Sequence, residues 1–379
     1  MGYIGTKPSA VPLTSADITD GIITSAKIAD GTIVNADINA TSAITLNKIS
    51  GNPSFRNIVI NGDMQVAQRN TSVASITGGN YYTVDRFEII LGALGTWTQS
   101  QSTDVPSGYG FSKSLKMDCT TADASPSAGD YLAIRTKFEG QNLQYLKKGT
   151  ANAVSLTASF WVKSTKTGTF ICELVDVDNT RSISKSYTVS VSNTWEFKTV
   201  TFAGDTTGAF DNDNGDSLNL LHWLGAGTTF TSGTLATSWG TQTSANRAVG
   251  QVNIADSTSN DFLITGVQLE AGTSATDFEF LPIDVNLGRC QRYFQIPPTI
   301  NIYAQVVSRY IGMESPLPVT MRATPTITNT FSLGGGATQT DQAVFNRGNN
   351  GIGFYTQFSG LGGNSGGNET VNLKLDAEL

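Results

Sequence analysis

A single histidine in 379 residues leaves almost nothing from which one chain could build a Ser-His-Asp triad or a histidine zinc site. Cysteine is nearly as scarce. Cys119, Cys172 and Cys290 stand far apart without metal-ligand spacing, which argues against a disulfide framework. Charged residues make up 15% of the chain, against roughly 25% for an average soluble protein, and the formal balance is -7. A thinly charged, acidic surface is a poor match for phosphate backbones, so nucleic acid is not an expected partner. No apolar run approaches the roughly 18 residues that span a bilayer, and the first residues lack the basic and then apolar pattern of a secretory signal. A soluble chain without membrane insertion is the expectation, although Met1-Gly2-Tyr3-Ile4-Gly5-Thr6 fits the short myristoylation pattern.

What fills the composition instead is glycine, 39 residues of it, together with Ser, Thr and Asn. Glycine and β-branched residues both disfavour helix interiors, so strands and turns should dominate. The alternation agrees. Phe111, Leu115, Met117 and Cys119 alternate with Ser112, Ser114, Lys116 and Asp118, and Val154, Leu156, Ala158, Phe160 and Val162 alternate with Ser155, Thr157, Ser159, Trp161 and Lys163. Similar runs cover 131–138, 170–177, 195–202, 218–224 and 262–270. Short strands at this density, with no convincing helix between them, predict a two-sheet sandwich of the jelly-roll kind over residues 54–281. Beyond Pro282, "VNLGRCQRYF" is a candidate short helix, and strands return in a glycine-rich C-terminal β domain over 282–379.

The opening of the chain follows a different rule. In "ADITDGIITSAKIADGTIVNADINATSAI", residues 16–44, Ile18, Ile23, Ile28, Ile33 and Ile38 recur every five residues, which scatters them around a helix. Asp20-Gly21 and Asp30-Gly31 are turn dipeptides, so the stretch divides into short strands. One modest apolar row without aromatics cannot offset an ordering entropy of roughly 1 to 2 kcal/mol per residue. Residues 16–53 are therefore expected to form a β-repeat shaft that orders only against identical chains around a rotational axis; a disordered polar linker is the other reading. Residues 1–15, with Pro8 and Pro12, have little periodicity and suit an extended arm.

Several phrases together carry a family likeness. "NIVINGDMQVAQR" (57–69), "YTVDRFE" (82–88), "GVQLEAGTSATDFEF" (266–280), "GRCQRYF" (288–294) and "VTMRATPTIT" (319–328) resemble a module of bacteriophage tail-fibre and receptor-binding proteins, and the "ADGTI" repeats look like the shafts that precede it. The resemblance implies a homotrimeric virion appendage, a phage tail fibre. Its arm, with Tyr3, Ile4, Pro8 and Pro12, would contact tail or other virion proteins, while its distal domains face a host-surface glycan or protein. Beyond residue 330 nothing is familiar. Within these phrases, Val267 and Leu269 should face inward while Gln268 and Glu270 meet a neighbouring chain. "ATDFEF" should close the sandwich edge with Phe278 and Phe280 on one face. Arg69, Arg86, Arg289 and Arg292 should bridge strands or subunits through carboxylates.

Trp161 lies on the polar side of its strand, where an indole could serve as a sugar platform; burial under a second layer is the alternative. Asp176 and Asp178 share one face of a strand, about 6 to 7 Å apart along the backbone, a spacing within the range for glycosidase carboxylate pairs. They are candidates for glycan contact, with a solvated acidic face as the other explanation. Asp211, Asp213 and Asp216 lie in "DNDNGD", which resembles a calcium loop with its glycine at the fifth rather than the sixth position. His222 shares a face with Leu218, Leu220 and Leu224 and is expected to be packed. The expectation is a noncatalytic glycan-binding fibre without a required cofactor. A polysaccharide depolymerase and a structural decoration fibre are the alternatives.

Overall fold

In the computed structural model, residues 37, 55–304, 308–334, 338–360 and 367–379 are described. The shaft positions Ile18, Ile23, Ile28, Ile33 and Ile38 and the arm positions Tyr3, Ile4, Pro8 and Pro12 lie outside them. The first part of the chain supplies β1 (Ser72–Asn80), β2 (Glu88–Ser102), β3 (Ser114–Thr121), β4 (Tyr131–Glu139), β5 (Leu156–Ser164) and β6 (Gly168–Asp176). There follow β7 (Arg181–Val189), β8 (Glu196–Phe202), β9 (Asp216–Ala226), α1 (Thr228–Thr231), β10 (Gly240–Thr241) and β11 (Asp261–Ala271). After α2 (Ile283–Gln291) come β12 (Phe294–Gln295), β13 (Ile300–Ala304), β14 (Tyr310–Pro316), β15 (Thr326–Gly334), β16 (Thr338–Asn346), β17 (Gly351–Gly360) and β18 (Gly367–Asp376).

The fold is mainly β, with its large sheet arranged as a sandwich. Hydrogen bonding links β10-β7-β6-β9-β4-β2-β3-β11-β5-β8 in one path, with β1 beside β2. That path folds on itself because β2 serves two partners. Glu88 to Ala93 pair with β4, and Thr96 to Ser102 pair with β3. The corner between them is built from a bulge at Gly92 and Ala93, both opposite Tyr131, and from left-handed backbone at Ala93 (φ 57°) and Gly95 (φ 74°). A Cβ at Gly95 would sit 2.6 Å from the Thr121 carbonyl oxygen, so this position needs glycine for its φ and for the close approach. The two leaves then face each other across a dry interior. Phe160 of β5 meets Tyr187 of β7 and His222 of β9, and Phe170 of β6 meets Phe262 of β11.

Alternation places Leu218, Leu220 and Leu224 of β9 in this interior, yet Leu221 and Trp223 on the opposite face are also buried. Residues 227–252 cover that second face, with Phe230 and Ala248 against Trp223. Trp223 Nε1 donates to the fully buried Glu173, which also holds Arg247 at 2.9 Å. Full coverage turns what would be a half-wet strand into a continuously buried one, with Asn219 and His222 among its leucines.

His222 is packed as its alternation indicates. It lies edge-on to Phe160 at 4.6 Å, its ring nitrogens have no hydrogen-bond partner among the described residues, and burial pushes its pKa down to about 3. The unfolded imidazole titrates near its ordinary value of about 6.5. Between those values the unfolded chain takes up a proton that the folded chain refuses. The stability contributed by neutral His222 is thus complete above about pH 6.5 and is lost as pH falls, by about 1.4 kcal/mol per unit. Asp85 acts in the opposite sense, because burial raises its carboxyl to about 6. The difference between wild type and His222→Phe isolates the histidine. Its unfolding free-energy difference should shift steadily in favour of the variant from pH 6.5 to pH 4 in urea titrations; parallel curves would contradict the assignment.

The helix expected near 285–294 is α2, displaced a few residues toward the N-terminus. It follows Pro282, and Asn286 on its buried face donates to Asp63 at 3.1 Å. Beyond it, β18 lies between β15 on one side and β12 and β13 on the other, while β14-β17-β16 form a second small sheet. Ile302, Ile352, Phe354, Val371, Leu373 and Leu375 fill the space between these sheets. Charged bridges tie this part to the sandwich. Arg69 reaches Asp376 at 2.9 Å and Glu378 at 3.3 Å, Arg86 pairs with Glu378, and Arg292 pairs with Glu139 at 2.7 Å. Arg289 makes no such ion pair within the described chain, although the Glu279 carboxylate lies within electrostatic reach.

Candidate functional site

Strand parity sets the floor of the site. On β5, Phe160 and Val162 point into the core, so Trp161 and Ser159 face outward; register places Phe197 of β8 and Thr265 of β11 on either side of Trp161. The loop between β2 and β3 then brings Tyr109 over this surface, with its ring 4.3 Å from Trp161, while Phe197 lies 5.4 Å away on the other side. Tyr109 can be displayed this way because Gly108 and Gly110 both adopt left-handed backbone (φ 84° and 82°). Asp104 anchors the start of the loop by accepting from Trp195 Nε1 at 2.9 Å and Lys163 at 2.7 Å. Against the upward push of its burial, these bonds hold the Asp104 carboxyl below the usual range.

The opposite wall is residues 272–281, which leave β11 and fold back over it. Glu270 accepts from the Thr276 amide and hydroxyl, both at 2.8 Å, and the Glu279 amide donates to Gln268 at 2.9 Å. This corrects the expected roles of "GVQLEAGTSATDFEF". Val267 and Leu269 do face the core, but Gln268 and Glu270 are covered by their own chain, and 275–280 is no edge strand. Phe278 and Phe280 instead cluster with Phe111, at 5.2 and 5.0 Å. Gly266 makes room for that cluster. It sits in a bulge of β11 at φ 61°, and a Cβ there would lie 2.6 Å from the Phe111 ring.

Between the walls runs a groove of about 480 Å³, lined by Tyr109, Ser159, Trp161, Phe197 and Phe280 among others. Tyr109, Phe197 and Phe280 are 56%, 48% and 45% exposed, respectively, although large aromatics are ordinarily buried. Ser159 Oγ and the Asp277 carboxylate have no protein hydrogen-bond partner among the described residues. Asp277 is also the one carboxylate among the described lining residues. An aromatic-walled groove with a few free polar groups suits a flat, hydroxyl-bearing ligand held by stacking and hydrogen bonds. Acid–base cleavage of a glycosidic bond ordinarily uses two flanking carboxylates, and this groove offers one.

The other predicted residues lie elsewhere. Asp176 ends β6 in the opposite leaf, fully buried, with Lys148 Nζ at 2.5 Å. The strand stops there, so Asp178 falls in the following turn, exposed, and accepts from the Asp211 amide at 2.9 Å. The two carboxylates therefore do not share a strand face, and the structure brings neither to Trp161. Asp211, Asp213 and Asp216 do not converge either. Asp213 accepts from the Gly215 amide at 2.7 Å, Asp216 accepts from Asn219 at 2.9 Å, and no metal-binding group of His, Cys, Asp or Glu forms among the described residues. One oxygen of Asp213 and one of Asp216 are thus taken by short-range hydrogen bonds within the chain.

Tyr109 and Phe197 were missing from the sequence-derived candidates. Their signals were an aromatic between two turn glycines and an aromatic on the same parity as a neighbouring strand's outward tryptophan.

No known family profile matches the chain, and no curated protein matches it. Solved structures show distant likeness. The enzymatically active domain of tailspike protein 4 from bacteriophage CBA120 aligns over 57% of this chain at 14% identity and TM-score 0.30; the chain spans 21% of that structure. The module TmCBM61, in complex with β-1,4-galactotriose, aligns over 57% of this chain and 99% of its own at 8% identity and TM-score 0.28. An N-terminal cellulose-binding domain from Cellulomonas fimi β-1,4-glucanase C aligns over 55% and 100%, at 10% identity and TM-score 0.26.

Proposed function

We propose that this chain is a noncatalytic, trimeric bacteriophage tail-fibre protein whose sandwich binds a host-surface glycan in the Tyr109–Trp161–Phe197 groove. The carrying observation is the exposed aromatic surface, built on a strand floor and enclosed by two anchored walls. The quoted tail-fibre phrases support the virion setting, and the repeat of residues 16–53 supports assembly. Three copies on one axis would convert weak sites into firm attachment, because linked engagement raises avidity by roughly 10² to 10⁴ where geometry permits. Millimolar contacts would then suffice for adsorption.

Light scattering of the full chain should give three times the 40.1 kDa chain mass. In parallel, soluble protein should compete with phage for host cells and leave host capsule or lipopolysaccharide at its original length. A monomer would overturn the assembly, absence of competition would overturn receptor binding, and shortened polysaccharide would overturn the noncatalytic reading.

A further inference from the structure

A second cavity, of about 540 Å³, lies between the first residues of the sandwich, the end of β4 and α2, and shares no lining residue with the aromatic groove. Its charged lining reverses the sign of the chain: Lys137, Arg289 and Arg292 face a single carboxylate, Glu139, in a protein of net charge -7. Two of those cations are already engaged. Arg292 donates to both Glu139 oxygens at 2.8 and 2.7 Å, while Lys137 holds the Leu379 carbonyl at 2.5 Å and Glu88 at 3.3 Å.

Arg289 is not engaged. It projects from α2 half-buried, and its guanidinium makes no hydrogen bond and no ion pair among the described residues. The Phe55 ring face lies 6.0 Å from its Cζ, and the Glu279 carboxylate, whose oxygens accept from the Phe55 and Asn57 amides, lies within electrostatic reach without a hydrogen bond to it. Burial pulls its pKa down and outweighs the opposing pull of the nearby Glu279 carboxylate. An arginine kept half out of water without a hydrogen-bonded partner is costly unless an anion completes it. The neighbouring walls suit a ring: Phe55 and Tyr145 are 58% and 51% exposed, and the Tyr145 hydroxyl bonds to nothing else in the described chain.

We propose that this cavity binds a carboxylate-bearing sugar of the uronic acid class, with Arg289 forked onto the carboxylate and Phe55 and Tyr145 against the ring. A single free guanidinium presents one planar pair of N–H donors, which matches one carboxylate. A phosphate dianion would call on the other two cations, and those are neutralised within the chain. The site does not depend on the reading of the aromatic groove, and the two can fail separately.

The test is a calorimetric or NMR titration of the full chain with glucuronate, glucose and inorganic phosphate. Glucuronate should bind at least about tenfold more tightly than either of the others, given the strength of charge-assisted hydrogen bonds. Arg289→Gln should weaken glucuronate by on the order of tenfold or more, and Arg289→Lys, which keeps the charge but loses the fork, should fall between. Trp161→Ala should leave glucuronate binding intact. Equal binding of glucose, tighter binding of phosphate, an unaffected Arg289→Gln, or loss through Trp161→Ala would each overturn the proposal. If Arg289→Gln does not fold, Arg289→Lys decides: unchanged glucuronate affinity overturns it, and a loss with an unchanged unfolding midpoint supports it.

Discussion

Trp161→Ala should lose oligosaccharide binding by roughly thirtyfold or more, about 2 kcal/mol, because a central aromatic between two others is the usual place for binding energy to concentrate. Its neighbour in sequence should behave in the opposite way. Phe160 is fully buried against Tyr187 and His222, so Phe160→Ala should cost about 3 to 5 kcal/mol of stability. Trp161 is only half-buried, and its truncation should cost about 1 to 2 kcal/mol. Two adjacent positions of β5 thus separate binding from folding by strand parity alone. The comparison needs a glycan array or host-cell adsorption assay together with urea denaturation of both variants. If Trp161→Ala kept its binding while remaining folded, the groove would not be the receptor site.

The second large effect lies in the opposite leaf, beneath Asp176. Lys148 Nζ is buried between Asp176 at 2.5 Å and Asp205 at 3.1 Å, donates to the carbonyls of Thr207 and Gly208, and lies near the Phe210 and Trp239 rings. Arg181 holds Asp205 from its other side at 2.8 Å. Removing the ammonium leaves the buried Asp176 carboxylate with the neutral Asn179 donors and only the more distant charge of Arg181, and breaking one side of a buried pair costs about 3 to 5 kcal/mol. Lys148→Met should therefore lower the urea midpoint sharply at pH 7. Adding Asp176→Asn should recover much of the loss, since the remaining group is neutral. A double variant no better than Lys148→Met would show that the ion pair is not what the site depends on. Glycan binding in the groove should survive at temperatures where the variants remain folded.

These two sites also show what a linear chain discloses. Strands with clean alternation, such as β3, β5 and β8, could be placed from sequence because one face is wet and the other dry. β2 was hidden in "EIILGALGTWTQSQS", where the glycines of its corner break the period that would have revealed it. Trp161 stood out because it occupies a polar position. Tyr109 did not, because its meaning depends on a ring some fifty residues later in the chain, and such a contact exists only after the sheets form. The pair Asp176 and Asp178 failed for a local reason: alternation does not say where a strand stops, and this one stops between them. Arg289 could be named from the sequence, but its lack of a hydrogen-bonded partner could be learned only from the folded chain.

Because β2 runs through both leaves as one continuous ribbon, the leaves cannot hinge open to admit a ligand without tearing their shared seam. Any breathing at the aromatic groove has to come from the Tyr109 loop and from residues 272–281, which border the β5 floor and are tied to the sheet by a few hydrogen bonds. Sequence drift or deliberate redesign in those two borders would therefore change what the proposed groove accepts while the stitched frame stays in place.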